Sequence, residues 1–153
     1  MSRLKKSAGL AAVAIAIVGG FEGLRTVAYR DQVNIPTICF GETRGVQMGD
    51  RKTVAECKAM LGNRLVEFET GMRACLRNPD ALPDGPYVAA LSLTYNIGTG
   101  AFCKSTVRRH LDAGKIREAC DAFRLFNRAG GQVNKGLTTR REAERALCLK
   151  GSV

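Results

Sequence analysis

The amino-acid sequence predicts an α+β fold, mostly α, in which a small β lobe is attached to a helical lobe. Three observations carry that prediction. Between Tyr29 and Gln47 the residues Asp31, Asn34, Pro36, Gly41 and Gly45 punctuate short β-prone pieces such as TICF, the pattern of a hairpin. From Arg51 to Leu76, apolar residues recur at 54, 57, 60/61, 65, 68, 72 and 75/76, a helical period. The stretch YVAALSLTYNIG, residues 87–98, is apolar nearly all round, as a buried central helix would be. A chain of 153 residues has room for one domain with a real core and not for two.

Taken in order, the elements begin with a basic lead, Arg3, Lys5 and Lys6, followed by fifteen uncharged residues from Ser7 to Phe21. As a helix those fifteen residues reach about 22 Å, short of the ~30 Å hydrocarbon core of a bilayer. Much of the segment is Ala and Gly, so it is only weakly apolar. A signal peptide cut after Ala16, a buried helix and a marginal membrane anchor all remain open. The β lobe follows at about residues 29–50. Thr53 and Glu56 have capping-box spacing and open a helix of about six turns, long enough to bridge two lobes. Residues 77–86 read as a loop. STVRRHLDAG and KIREACDAFRLF read as short amphipathic helices, and NRAGGQVNKGL as another loop. Thr139 and Glu142 form a second capping box ahead of the last helix.

Composition narrows the chemistry. A net charge of +10 points to an anionic partner, whether nucleic acid, anionic lipid or an acidic cell-wall polymer. The doublets Lys5-Lys6, Arg108-Arg109 and Arg140-Arg141 read as part of a solvated positive surface. A nucleic-acid module would interleave aromatics with its basic residues, whereas this chain has three Tyr, six Phe and no Trp. Its six cysteines, at 39, 57, 75, 103, 120 and 148, come no closer than 17 positions. That spacing is poor for zinc and reasonable for disulfides, which implies an oxidising destination. The single histidine, His110, lies among charges and reads as solvent-facing. No nucleophile elbow, metal-ligand cluster or phosphate-binding loop is present, so neither cofactor nor metal is expected. Hydrolytic chemistry then falls to carboxylates. Glu22, at the edge of the apolar run, suits a proton donor. Asp31, in a polar turn between Arg30 and Gln32, suits a carboxylate that stays ionised. Thr37 offers a hydroxyl to hold water.

The order Glu22, eight residues, Asp31, five residues, Thr37 resembles the Glu–Asp–Thr triad of the phage lysozymes, glycoside hydrolase family 24. FEGLR, the following AY.D and TICFG resemble that family's active-site hairpin. The likeness continues in VAECKAML, LTYNIGTGAFCKST and AGG with KGLTTRREAERALCL, covering about residues 21–149. The short Ala/Gly-rich N-terminus resembles the signal-arrest-release branch of phage endolysins. The resemblance implies a lysozyme-like two-lobed fold with a cleft. It implies a muramidase that cleaves the β-1,4 bond between N-acetylmuramic acid and N-acetylglucosamine, with inversion. Glu22 would be the general acid, Asp31 the base that activates water, and Thr37 the residue that positions it, while Asn96 would line the glycan cleft. The cysteine pairing 39–57, 75–103 and 120–148 rests in part on how relatives look. Glu42, in FGET, is a departure, because relatives often carry His there. It adds an acid near the site that would compete for the acid role or alter the pH profile.

The expected organisation is therefore an anchor over residues 1–21 and a catalytic domain over 22–153, its helical lobe at about 53–150. Residues 7–21 are expected to be an uncleaved, releasable anchor, with Lys6 inside and Glu22 outside. Leu10, Val13, Ile15, Ile17, Val18 and Phe21, at about 0.3–0.6 kcal/mol each, hold it by only about 2–4 kcal/mol. Carrying Arg3, Lys5 and Lys6 outward against an inside-negative potential costs about 2.3 kcal/mol per charge per 100 mV, roughly 7 in all. Loss of the potential would free the segment. The expected partners are peptidoglycan and, before release, the host inner membrane; no nucleic acid is expected, and the chain is expected to be monomeric. It would face the periplasm from the inner membrane and then become soluble there. The rival reading is a cationic membrane-disrupting or anionic-polymer-binding protein without catalysis.

Overall fold

The computed structural model describes residues 1–153. Ser2 caps a single turn, α1 (Arg3–Lys6), and Ser7, its hydroxyl on the Leu10 amide, opens α2 (Ala8–Glu22). The apolar run is thus a helix that ends with the acid. Leu10, Ala14 and Val18 recur at helical spacing and are buried in the common core together with Leu4. Gly19 lies on the same face, where a Cβ would stand 3.0 Å from the Phe40 ring. Any larger residue there would have to push the Phe40 ring away from α2. Gly23, at φ +76°, ends the helix and turns the chain into the β lobe.

That lobe is an antiparallel pair, β1 (Arg25–Arg30) and β2 (Pro36–Cys39), with Tyr29 opposite Thr37 and Arg30 opposite Pro36. It begins four residues earlier than residue 29, the sequence-based boundary. Isolated bridges from Val27 to Arg51 and from Ile38 to Glu42 extend it. The signal was weak because β1, RTVAYR, mixes charge with apolar residues, and its pairing is irregular between Arg25 and Tyr29.

The bridging helix α3 (Val54–Cys75) opens with the expected Thr53–Glu56 capping box and runs 22 residues, about 33 Å. Cys57, Leu61, Leu65, Glu69 and Met72 form its buried face. Glu69 is a carboxylate on that face which the apolar pattern did not register. A 3-10 turn at Pro79–Ala81 precedes α4 (Asp84–Ile97), which starts inside the stretch read as loop. The buried run Gly85–Thr94 makes α4 the central helix. It packs against α2, α3, α5 (Thr99–Cys103) and α8 (Lys135–Lys150). Between them lie α6 (Thr106–Asp112), α7 (Ile116–Ala122), a 3-10 turn at Phe123–Leu125, and the two-residue strands β3 (Arg128–Ala129) and β4 (Gln132–Val133).

The second capping box does not form. Asn134 caps α8, its side chain accepting from the Leu137 amide, and Thr139 lies inside the helix with its hydroxyl on the Lys135 carbonyl. The glycine pair Gly130–Gly131 gives the β3–β4 hairpin its turn, so helix can begin as soon as Asn134 can cap it. The three disulfides are Cys39–Cys57, Cys75–Cys103 and Cys120–Cys148. They tie β2 to α3, α3 to α5, and α7 to α8, as the resemblance implied.

Candidate active site

Glu22 is the last residue of α2, and its side chain is 27 % exposed. Its Oε1 accepts a hydrogen bond of 2.8 Å from the Arg140 guanidinium of α8. Arg140 is itself buried. It donates to Glu144 at 3.2 Å and to the Ser92 carbonyl of α4 at 3.4 Å, and its guanidinium lies 4.7 Å over the Phe21 ring. Glu144 is fully buried and also takes the Ser92 hydroxyl at 2.7 Å and an Arg141 nitrogen at 2.9 Å. A second Arg141–Glu144 contact, Nε to Oε2 at 2.8 Å, is too poorly aligned to be a hydrogen bond and acts as an ion pair. Burial pulls the Arg141 guanidinium below its ordinary value, and Glu144 opposes that shift. Two carboxylates and two guanidiniums thus compensate one another where α2, α4 and α8 meet, as buried charges must.

Asp31 is held differently. Its Oδ1 accepts the amides of Val33 (3.0 Å) and Ile35 (2.9 Å), the local bonding that suits Asp to turns. Its own amide donates to the Ile35 carbonyl at 3.0 Å. The Thr37 hydroxyl donates to that same carbonyl at 2.9 Å. One peptide group therefore ties Asp31 to Thr37. Thr37 is buried, at 3 % exposure, and its proton is committed to Ile35, so toward any further partner it acts as an acceptor. Asn34 takes φ +66°, a conformation that Asn tolerates better than most residues.

Asn96 stands exposed in the last turn of α4 and makes no side-chain hydrogen bond within the protein. Its neighbour Tyr95 is half-buried. Burial, then the Glu22 charge, push its phenol up, and Glu42 adds to this against Arg64 and Arg140. Tyr95 therefore lies within electrostatic reach of both acids. Glu42 accepts the amides of Thr43 and Arg44, each at 3.0 Å, and pairs with Arg64 of α3 at 3.5 Å. Its carboxylate pins the turn after β2. Phe40, Gly41, Glu42, Arg64 and Tyr95 line a small pocket at this junction. No group of His, Cys, Asp and Glu gathers in a way that would hold a metal ion.

The sequence reading missed Arg140, Glu144 and Ser92. The doublet Arg140-Arg141 was assigned to the solvated surface, whereas both side chains are buried. Their i,i+4 and i,i+3 spacing to Glu144 was visible but looks the same as an exposed helix pair. Of the other doublets, Lys5-Lys6 is exposed and Arg108 is half-buried, pairing with Asp112. His110 is half-buried on α6 and keeps part of its surface in solvent.

The phage lysozyme family profile matches residues 19–144, which holds every residue of this site. The SAR-endolysin of Bacteriophage PS119 is 39 % identical over 133 residues, covering 86 % of this chain and 78 % of the relative. That of Pseudomonas phage phiKMV is 35 % identical over 156 residues, covering 99 % and 95 %. A crystal structure of a P22 lysozyme mutant superposes with a TM-score of 0.83 at 36 % identity, covering 90 % of this chain and 96 % of that one. The chain therefore belongs to the phage lysozyme family, as a glycoside hydrolase of the SAR-endolysin branch.

Proposed function

We propose that this endolysin hydrolyses the β-1,4 bond between N-acetylmuramic acid and N-acetylglucosamine in peptidoglycan, after export in a membrane-tethered, inactive form. Glu22 gives its proton to the leaving glycosidic oxygen as the C–O bond breaks. Asp31 takes a proton from the water that attacks the anomeric carbon from the opposite face. Thr37 orients that water by accepting from it, and the product inverts. Glu22 ends as carboxylate and Asp31 as acid, and solvent exchange restores both. Asn96 and Tyr95, at the end of α4, border the glycan. The enzyme acts as a monomer on the wall polymer, where its positive charge holds it near the peptide carboxylates, and it has no nucleic-acid partner.

The observation that carries the tethered form is the Glu22–Arg140 bond. Glu22 is the C-terminal residue of α2, and its partner is on α8. While residues 7–21 are in the inner membrane, the acid is pinned at the bilayer edge and cannot reach Arg140. When they leave, the buried face of α2 packs into the catalytic lobe and delivers the acid to its partner. No helix of the chain is long and apolar enough to cross a membrane.

Two measurements test this. Purified walls should clear with the wild-type protein and not with Glu22→Gln; clearing by both would leave a membrane-disrupting or wall-binding protein instead. Fractionation before and after an uncoupler should show full-length protein moving from membrane to periplasm. A soluble product beginning near Ile17, or no redistribution, would reject the tether.

A further inference from the structure

Glu69 is fully buried on α3 and takes part in no ion pair. A carboxylate in that position must be satisfied by hydrogen bonds. Four donors surround it. One is the Tyr87 hydroxyl of α4, at 2.5 Å. The other three come from the extreme N-terminus: the Arg3 amide at 2.8 Å, the Leu4 amide at 3.2 Å, and the Ser2 hydroxyl. Burial and the bond to Glu69 push the Tyr87 phenol up, so it remains a donor throughout the physiological range. Arg3 closes the arrangement from outside. Its guanidinium lies 4.1 Å over the Tyr87 ring, donates to the Leu82 carbonyl at 2.8 Å and pairs with Asp84. Leu4 is buried beneath it.

We propose that Glu69 and Tyr87 form a receptor for residues Ser2–Leu4, and that their engagement is the contact that makes release from the membrane irreversible. The inference rests on the tethering reading above. In the tethered orientation Ser2–Lys6 lies on the cytoplasmic side, across the bilayer from Glu69. Packing of α2 can begin while the N-terminus is still crossing. The Glu69 contacts form only once Arg3, Lys5 and Lys6 have passed through. Until then Glu69 has only the Tyr87 hydroxyl of its four protein donors, and water takes the place of the other three. Once docked, Arg3 is held by Asp84, two carbonyls and the Tyr87 ring, and re-entry must break all of these contacts.

The test compares full-length wild type with Glu69→Gln, which keeps the size and removes the charge. In purified soluble protein, amide exchange in the peptide covering residues 1–9 should quicken about 10-fold or more, the loss expected for charge-assisted hydrogen bonds. Exchange in α8 should not change. Wall clearing by the purified variant should stay within about threefold of wild type, because Glu69 is remote from the Glu22–Arg140 pair and global protection is retained. In cells whose potential is collapsed and then restored, wild type should stay soluble while the variant returns in part to the membrane. Unchanged exchange in residues 1–9, or equal quickening throughout α8, would overturn the inference and leave tethering intact. If wild type is never membrane-bound, tethering fails and the inference fails with it. Should Glu69→Gln not fold, Arg3→Met removes the outer clamp while leaving the carboxylate paired. It should quicken exchange in the same peptide, and unchanged exchange there would count equally against the receptor.

Discussion

Asp31 and Glu22 are the two carboxylates of the proposed catalytic pair, and the chain holds them in opposite ways. Asp31 is fixed by its own neighbourhood: the amides of Val33 and Ile35 hold the side chain, and the Ile35 carbonyl joins it to Thr37. Every partner lies within six residues. Glu22 is fixed by Arg140, 118 positions away, and Arg140 in turn depends on Ser92 and Glu144. A locally built group is present wherever its loop folds. A group built across the fold exists only when α2, α4 and α8 come together. The second arrangement is what the proposed tethered form relies on.

The strongest test of that comparison is to remove each acid in turn. Glu22→Gln and Asp31→Asn should each cut wall clearing by about 10²–10⁴-fold, the range for a lost acid–base group, with circular dichroism unchanged. Near-normal turnover in either would remove that residue from the proposed pair.

Next in size is the support of Glu22. Arg140→Met strands Glu22 and leaves Arg141 as the one cation on Glu144, and should cost about 3–5 kcal/mol of stability, as breaking a buried pair does. Arg30→Met loses only an exposed contact to the Asn34 carbonyl and should cost less than about 0.5 kcal/mol. Urea titration of both variants reads the contrast, and equal losses would erase it.

Replacing both Cys39 and Cys57 by Ala separates the β lobe from α3. The bond closes a loop with a sequence separation of 18, and its removal should cost about 3 kcal/mol. Because the Asp31 turn is self-supporting, wall clearing below the unfolding temperature should fall by less than about tenfold. A larger fall would show that the turn leans on α3.

The smallest effect concerns acid. Hydrogen bonds hold four exposed carboxylates below their usual range: the Thr53 backbone for Glu56, Arg44 for Glu67, Arg73 for Asp80 and Arg124 for Glu142. As pH falls through about 4, the unfolded chain takes up these protons before the folded chain does, so stability is lost. Melting temperature should be level near neutrality and decline below about pH 4.5. Glu142→Gln should flatten that decline slightly; an unaltered slope would mean its pair with Arg124 carries no weight.

Local patterning by itself determined the helices that begin at Thr53 and Ser105, the central apolar helix and the Asp31 turn, while the apolar run that ends at Glu22 was left open between signal peptide, buried helix and anchor. Capping, periodicity and turn chemistry act over a few residues, and the chain displays them directly. Likeness to relatives supplied the candidate triad and the cysteine pairing. Where α8 begins was misread because Asn134 and Thr139 both carry capping side chains, and the hairpin before them decided which one is used. Only the tertiary structure decided that Arg140, Arg141, Glu144 and Glu69 are buried. In the sequence they are charged residues at spacings that suit an exposed helix face equally well. What distinguishes a screened surface pair from a compensated charge network is the dielectric around it, and that is set by which helices pack over it.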